Sequence, residues 1–98
     1  MNLNFAIWLE LIISNQITVI EDNTFSGCSN FSGSLNIPSK VTKIGCYAFS
    51  KCSGFTGTLK IPDGVTTIDE YAFYHCNGLT GTLTIPQKVT TIGSYAFS

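Results

Sequence analysis

The sequence predicts a solenoid, α/β or mainly β, whose 24-residue coils place a parallel sheet on one face and short helical turns on the other. Proline falls at 38, 62 and 86, cysteine at 28, 52 and 76, and phenylalanine at 25, 49, 73 and 97. Isoleucine keeps the same spacing at 20, 44, 68 and 92. A fixed period in the twenties marks units that bury their apolar sides only against neighbouring copies. Within each period a short apolar–polar alternation precedes a proline, and a compact apolar cluster follows it.

The units are 35–58, 59–82 and a truncated 83–98. A looser unit at 11–34 keeps Ile13, Ile17, Ile20, Phe25, Cys28 and Phe31 but has Ser14 where the others have proline. Residues 1–10 fit least well and are assigned to a degenerate repeat or a cap. In each unit, Leu59 and Ile61 alternate with Thr58 and Lys60, the pattern of a half-buried strand. Pro62 offers no N–H to a ladder and ends that strand. Val65 and Ile68 return to the core through a short extended segment. Residues 71–76 are too few for a stable isolated helix, but suit one helical turn with Ala72, Phe73 and Cys76 inward. Asn30, Gly54 and Gly78 then open the return to the next strand, where a left-handed turn is expected.

Stacked coils should build a core of ladders with like residue above like residue. The expected members are Leu35, Ile37, Ile44, Phe49, Cys52, Leu59, Ile61, Ile68, Phe73, Cys76, Leu83, Ile85, Ile92 and Phe97. Both ends of such a stack expose strand edges and apolar faces, so self-association through the ends is expected.

Composition removes several functions. Five lysines, no arginine and six acids give a net charge of −1, which cannot form the basic footprint of a nucleic-acid binder. His75 is the sole histidine, so no His-pair metal site exists. The longest apolar run, residues 5–13, is interrupted by Glu10 and is far short of the ~20 residues of a membrane span. No charged n-region precedes it, so no secretion signal is recognised in this chain.

The string Leu59-x-Ile61-Pro62-x-x-Val65-x-x-Ile68-x-x-x-Ala72-Phe73-x-x-Cys76-x-x-Leu79 resembles the leucine-rich repeat of the BspA type almost position for position. It recurs from Leu35 to Phe55 and from Leu83 to Phe97. The usual family repeat has 23 residues, and the stretch around Thr56 and Gly57 lengthens it to 24 here. The resemblance implies surface-displayed or secreted proteins of anaerobic bacteria and parasitic protists. It also implies adhesion to host matrix proteins, host cells or other microbes. An intracellular scaffold for protein–protein interaction is the alternative.

Chemically suggestive residues have plainer readings. Cys28, Cys52 and Cys76 are far apart in sequence for a zinc motif, and as a ladder they read as small buried hydrophobes. Cys46 shares its position with Asp22, Glu70 and Ser94 and is expected to face solvent. His75 adjoins Cys76, but adjacent residues diverge, so a catalytic dyad is not expected. Asp69 and Glu70 replace Gly45-Cys46 and Gly93-Ser94, which suits a solvated turn. Asn30-Phe31-Ser32 is a glycosylation sequon, relevant in a secreted eukaryotic protein. No enzyme activity, cofactor or metal is expected. The candidate binding face is the outward side of the main strand: Ser34 and Asn36, Thr58 and Lys60, Thr82 and Thr84, with Glu10 and Ile12 before them. An ice-binding array is not expected, because Lys60 and Asn36 interrupt the threonines around Thr82 and Thr84. On the opposite side Tyr47, Tyr71 and Tyr95 form a stripe, with Asn23 in the first coil; they are assigned to covering core edges.

Overall fold

A computed structural model describes residues 15–29 and 32–98. The proposed cap at 1–10, the sequon residues Asn30 and Phe31, and Glu10 and Ile12 lie outside them. Four two-residue strands, β1 (Val19–Ile20), β2 (Lys43–Ile44), β3 (Thr67–Ile68) and β4 (Thr91–Ile92), pair in parallel in the order β1-β2-β3-β4. Ile20 faces Ile44, Ile44 faces Ile68 and Ile68 faces Ile92, so the register advances one sequence period per strand.

This sheet forms where Val-x-x-Ile returns to the core. Val41, Ile44, Val65 and Ile68 are fully buried. Before β2, β3 and β4 a threonine adds a second bond. Thr42 donates its N–H to the Thr18 carbonyl at 2.7 Å and its hydroxyl to the same oxygen at 3.2 Å. Thr66 and Thr90 repeat the hydroxyl bond to Thr42 and Thr66. Branched Thr and Ile suit this pleated edge.

The expected main strand is different. Leu59 and Ile61 are buried and Lys60 is exposed, so the alternation holds. Yet this run meets its neighbour only through the isolated bridge Lys60↔Thr84. Gly57, at φ 80°, bends the chain on one side, and Pro62 removes a donor on the other. Too little straight backbone remains between them for a continuous ladder.

The expected helical turn is also replaced. Ala72, Phe73 and Cys76 do point inward and are buried, but no helix occurs among the described residues. Tyr71 and His75 sit at φ 59° and 57°, as Tyr47 and Lys51 do one coil earlier. The N–H groups of Ala72, Tyr74 and Cys76 close turns onto Asp69, Tyr71 and Phe73. Those of Tyr71, Phe73 and His75 donate instead to Ser94, Ala96 and Ser98 of the next coil. Half of the donors that a helix would use internally therefore bind coil to coil, which leaves each segment a stack of tight turns.

The return turn places its glycine requirement elsewhere than expected. Gly54 and Gly78 do not have positive φ; Gly33, Gly57 and Gly81 do. At Gly78 the requirement is space, because a Cβ there would lie 2.2 Å from the Phe55 carbonyl oxygen.

The core is a column of rings. Phe25, Phe49, Phe73 and Phe97 stack with centroids 5.3, 5.3 and 5.4 Å apart. Leu35, Ile44, Phe49, Cys52, Leu59, Ile61, Ile68, Phe73 and Cys76 are buried as the ladders require. Ile37 and Phe97 are only half-buried and pack at the margin. Leu83, Ile85 and Ile92 depart from the expectation: they are 38%, 38% and 48% exposed. All three lie in the 83–98 unit, at the edge of the described stack.

Candidate functional site

Ser34, Asn36, Thr58, Lys60, Thr82 and Thr84 are all exposed, two per coil, at the positions the alternation assigns to them. Leu35 and Leu59 between them are buried and anchor the face to the core. Because the coils are joined here by one bridge instead of a ladder, shallow grooves run between them. One of about 420 Å³ is lined by Thr58, Lys60, Asp63, Thr82, Thr84 and Pro86 among others. Its counterpart one coil earlier, about 270 Å³, has Asn36, Ser39, Lys60, Pro62 and Asp63 on its walls. Both are open and mix apolar with polar walls, Leu59 and Ile61 in the first and Leu35 and Ile37 in the second, with Lys60 and Asp63 as the charged groups. Such a surface can offer hydrogen bonds and contact area, but it converges no nucleophile on a base.

The other candidates are engaged in holding coils together. Cys52 donates its thiol to the Phe25 carbonyl at 3.0 Å, and Cys76 donates to Phe49 at 2.9 Å. Each thiol therefore satisfies a carbonyl of the preceding coil, a role the hydrophobic ladder alone did not suggest. Burial pushes the Cys52 thiol up to about 12, with the neighbouring Cys76 adding to the shift. Burial also raises Cys28 and Cys76. All four cysteines are free thiols.

A thiol raised on folding stays protonated in the native state while the unfolded chain ionises. Its stabilising contribution is complete below the ordinary thiol value of 9.0 and is lost as pH rises from there toward about 12. Stability should fall by about 1.4 kcal/mol per pH unit for such a group. In Cys52→Ser, which keeps a donor for the Phe25 carbonyl, that alkaline loss should be visibly shallower. Parallel stability–pH curves from urea titrations of the two proteins would contradict the assignment.

Cys46 is half-buried, not fully turned to solvent. Its N–H donates to the Asp22 carboxylate at 2.9 Å. Asp22, Cys46 and Asp69 bring one donor atom each within 4.8 Å of one another. Lys43 lies 3.6 Å from the Asp69 carboxylate. The carboxylates thus bind a backbone amide and an ammonium of adjoining coils. Asp22 and Cys46 hold the same repeat position, but Asp69 comes from the position before it, so the period alone does not bring the three together. His75 is exposed and its ring lies against Tyr74, at a centroid distance of 4.0 Å, whereas the Cys76 thiol points to Phe49. The two do not form a reactive pair.

Tyr47, Tyr71 and Tyr95 do form a stripe. Tyr47 and Tyr71 stack at 4.8 Å with planes 4° apart, and Tyr71 and Tyr95 at 5.1 Å and 18°. Tyr74 meets Tyr71 edge-on at 4.9 Å. Burial in this stack, then the neighbouring phenols Tyr47 and Tyr95, push the Tyr71 hydroxyl above its ordinary value.

Among the described residues no helix is long and apolar enough to cross a membrane. The BspA type leucine-rich repeat region matches residues 7–98, in six copies. A crystal structure of a leucine-rich repeat protein from Bacteroides ovatus is similar, with a TM-score of 0.70 and 25% identity. The similarity covers 99% of this chain and 32% of that one, so the chain spans about a third of its solved relative. No curated protein matches the sequence. With the repeat pattern, the parallel stack and the family match covering the same residues, this chain belongs to the BspA-type leucine-rich repeat family.

Proposed function

We propose that this chain is a non-catalytic protein-binding segment of a cell-surface or secreted adhesin, engaging host or microbial surface proteins. The observation that supports this most is the face formed by Ser34, Asn36, Thr58, Lys60, Thr82 and Thr84. Three successive coils present an exposed polar pair at the same two positions, and in the first two of them a buried leucine, Leu35 or Leu59, lies between the pair. Small polar side chains over shallow grooves give modest affinity per coil, since tight interfaces depend on large aromatic or arginine anchors. A long array of such coils gains strength by avidity. The solved relative, three times as long, is consistent with that use.

The test is accessibility on intact cells of the source organism, with the full-length gene in hand. External protease should cleave this segment and an antibody raised against the Lys60 face should label unpermeabilised cells. Protection from both, with labelling only after permeabilisation, would assign the chain to an intracellular scaffold instead.

A further inference from the structure

We propose that the tyrosine row is an oxidative cross-linking site, at which a peroxidase-class one-electron oxidant joins Tyr71 to Tyr47 and to Tyr95 and so staples neighbouring coils covalently. Three features of the row support it. The rings of consecutive coils are already in contact, 4.8 and 5.1 Å between centroids and close to parallel. Their backbones are held in register, because Tyr47 donates its N–H to Glu70 and Tyr71 donates to Ser94, both at 3.0 Å. Tyr47 and Tyr95 are also 39% and 60% exposed, which lets an oxidant reach the phenols and lets the rings swing from stacked to edge-joined. The phenylalanine column is also stacked, at 5.3 Å between Phe49 and Phe73, but its inner rings are buried and none carries a hydroxyl.

The chemistry balances with hydrogen peroxide as terminal oxidant. Each phenol gives one electron and its hydroxyl proton to the peroxidase, which leaves two tyrosyl radicals side by side. They couple at the ring carbons ortho to oxygen, forming one carbon–carbon bond. Each ring then regains aromaticity when its ortho hydrogen leaves carbon and a proton returns to oxygen. Two tyrosines and one hydrogen peroxide yield one dityrosine and two waters. Since the partners are fixed in contact, coupling within the chain should outrun coupling between chains. Tyr71 touches both neighbours and is the required member of every link.

The test is treatment of the dilute, folded chain with horseradish peroxidase and hydrogen peroxide, followed by tryptic digestion and mass spectrometry. Cleavage after Lys43, Lys51, Lys60 and Lys88 places Tyr47, Tyr71 and Tyr95 on three peptides, 44–51, 61–88 and 89–98. The expected products are the pairs 44–51 with 61–88 and 61–88 with 89–98, each lacking two hydrogens, in a chain of monomer mass. Tyr71→Phe keeps the ring in the stack and should lower both products about tenfold or more. Tyr47→Phe and Tyr95→Phe should each remove one product and spare the other. Tyr74→Phe should change neither. The proposal is overturned by links that join two chains, by equal yields in urea-unfolded protein, or by products that survive Tyr71→Phe.

Discussion

Replacing Phe49 by alanine is expected to lower stability by about 3–5 kcal/mol, enough to leave a chain of this size largely unfolded or uncoupled at its middle. Phe49 is fully buried and stacks on Phe25 above and Phe73 below. In a solenoid, stability is close to a sum of coil terms and nearest-neighbour terms. Losing Phe49 therefore weakens two interfaces at once and leaves a cavity walled by ladders that cannot close independently. Phe97 has the same role on paper, but among the described residues it stacks on a ring on one side alone, Phe73, and is half-buried. Its replacement should cost a small fraction of the Phe49 effect. Urea unfolding followed by circular dichroism compares the two directly. Equal shifts in midpoint would show that the column does not carry the stack.

A second large effect is expected at Gly78. An alanine Cβ there would meet the Phe55 oxygen at 2.2 Å and the Ser53 oxygen at 2.9 Å. Both are backbone atoms, held by the coil that Gly78 packs against, so relief requires the two coils to separate locally. The cost should be about 3 kcal/mol. Gly64→Ala is the control, since its nearest atoms would be the Val41 and Ser39 oxygens at 3.8 and 3.9 Å. With no strain to pay, that change should be neutral or stabilise by about 0.5 kcal/mol through the unfolded chain. Should both variants unfold at the same urea concentration, the close approach at Gly78 would be refuted.

Much of the architecture was legible in the sequence because a repeat states each requirement several times. Leucine at 35 and 59, isoleucine at 44 and 68 and phenylalanine at 49 and 73 point to a stacked core, and all six are buried. The alternation around Lys60 also located the exposed pairs of the candidate face. Hydrogen bonding was less legible. Alternation reports which side of the chain meets the core, and it is silent on which run has enough straight backbone to form a ladder. The 59–61 run looked like the sheet, yet the continuous ladder formed at residues 67–68, where threonine adds a side-chain bond. A signal was available in Thr18, Thr42, Thr66 and Thr90, which keep the period without being apolar.

The turn segment fails in a similar way. Ala72, Phe73 and Cys76 have helical spacing and do face inward, but their neighbours Tyr71 and His75 adopt left-handed backbone. Local sequence cannot indicate this, because the favourable alternative is a set of carbonyls supplied by the next coil. Glycine shows the same limit. Gly57 bends its own chain, whereas Gly78 is needed by a neighbour 23 residues away.

By itself, then, the sequence determined the period, the family and which side of the chain the apolar and polar residues of the middle coils take, since these follow from residue type repeated at fixed spacing. Only the tertiary structure decided which backbone groups pair, which glycine is a spacer, and that the tyrosines lie ring on ring. Those depend on distances between coils, and stacking sets such distances for all coils together.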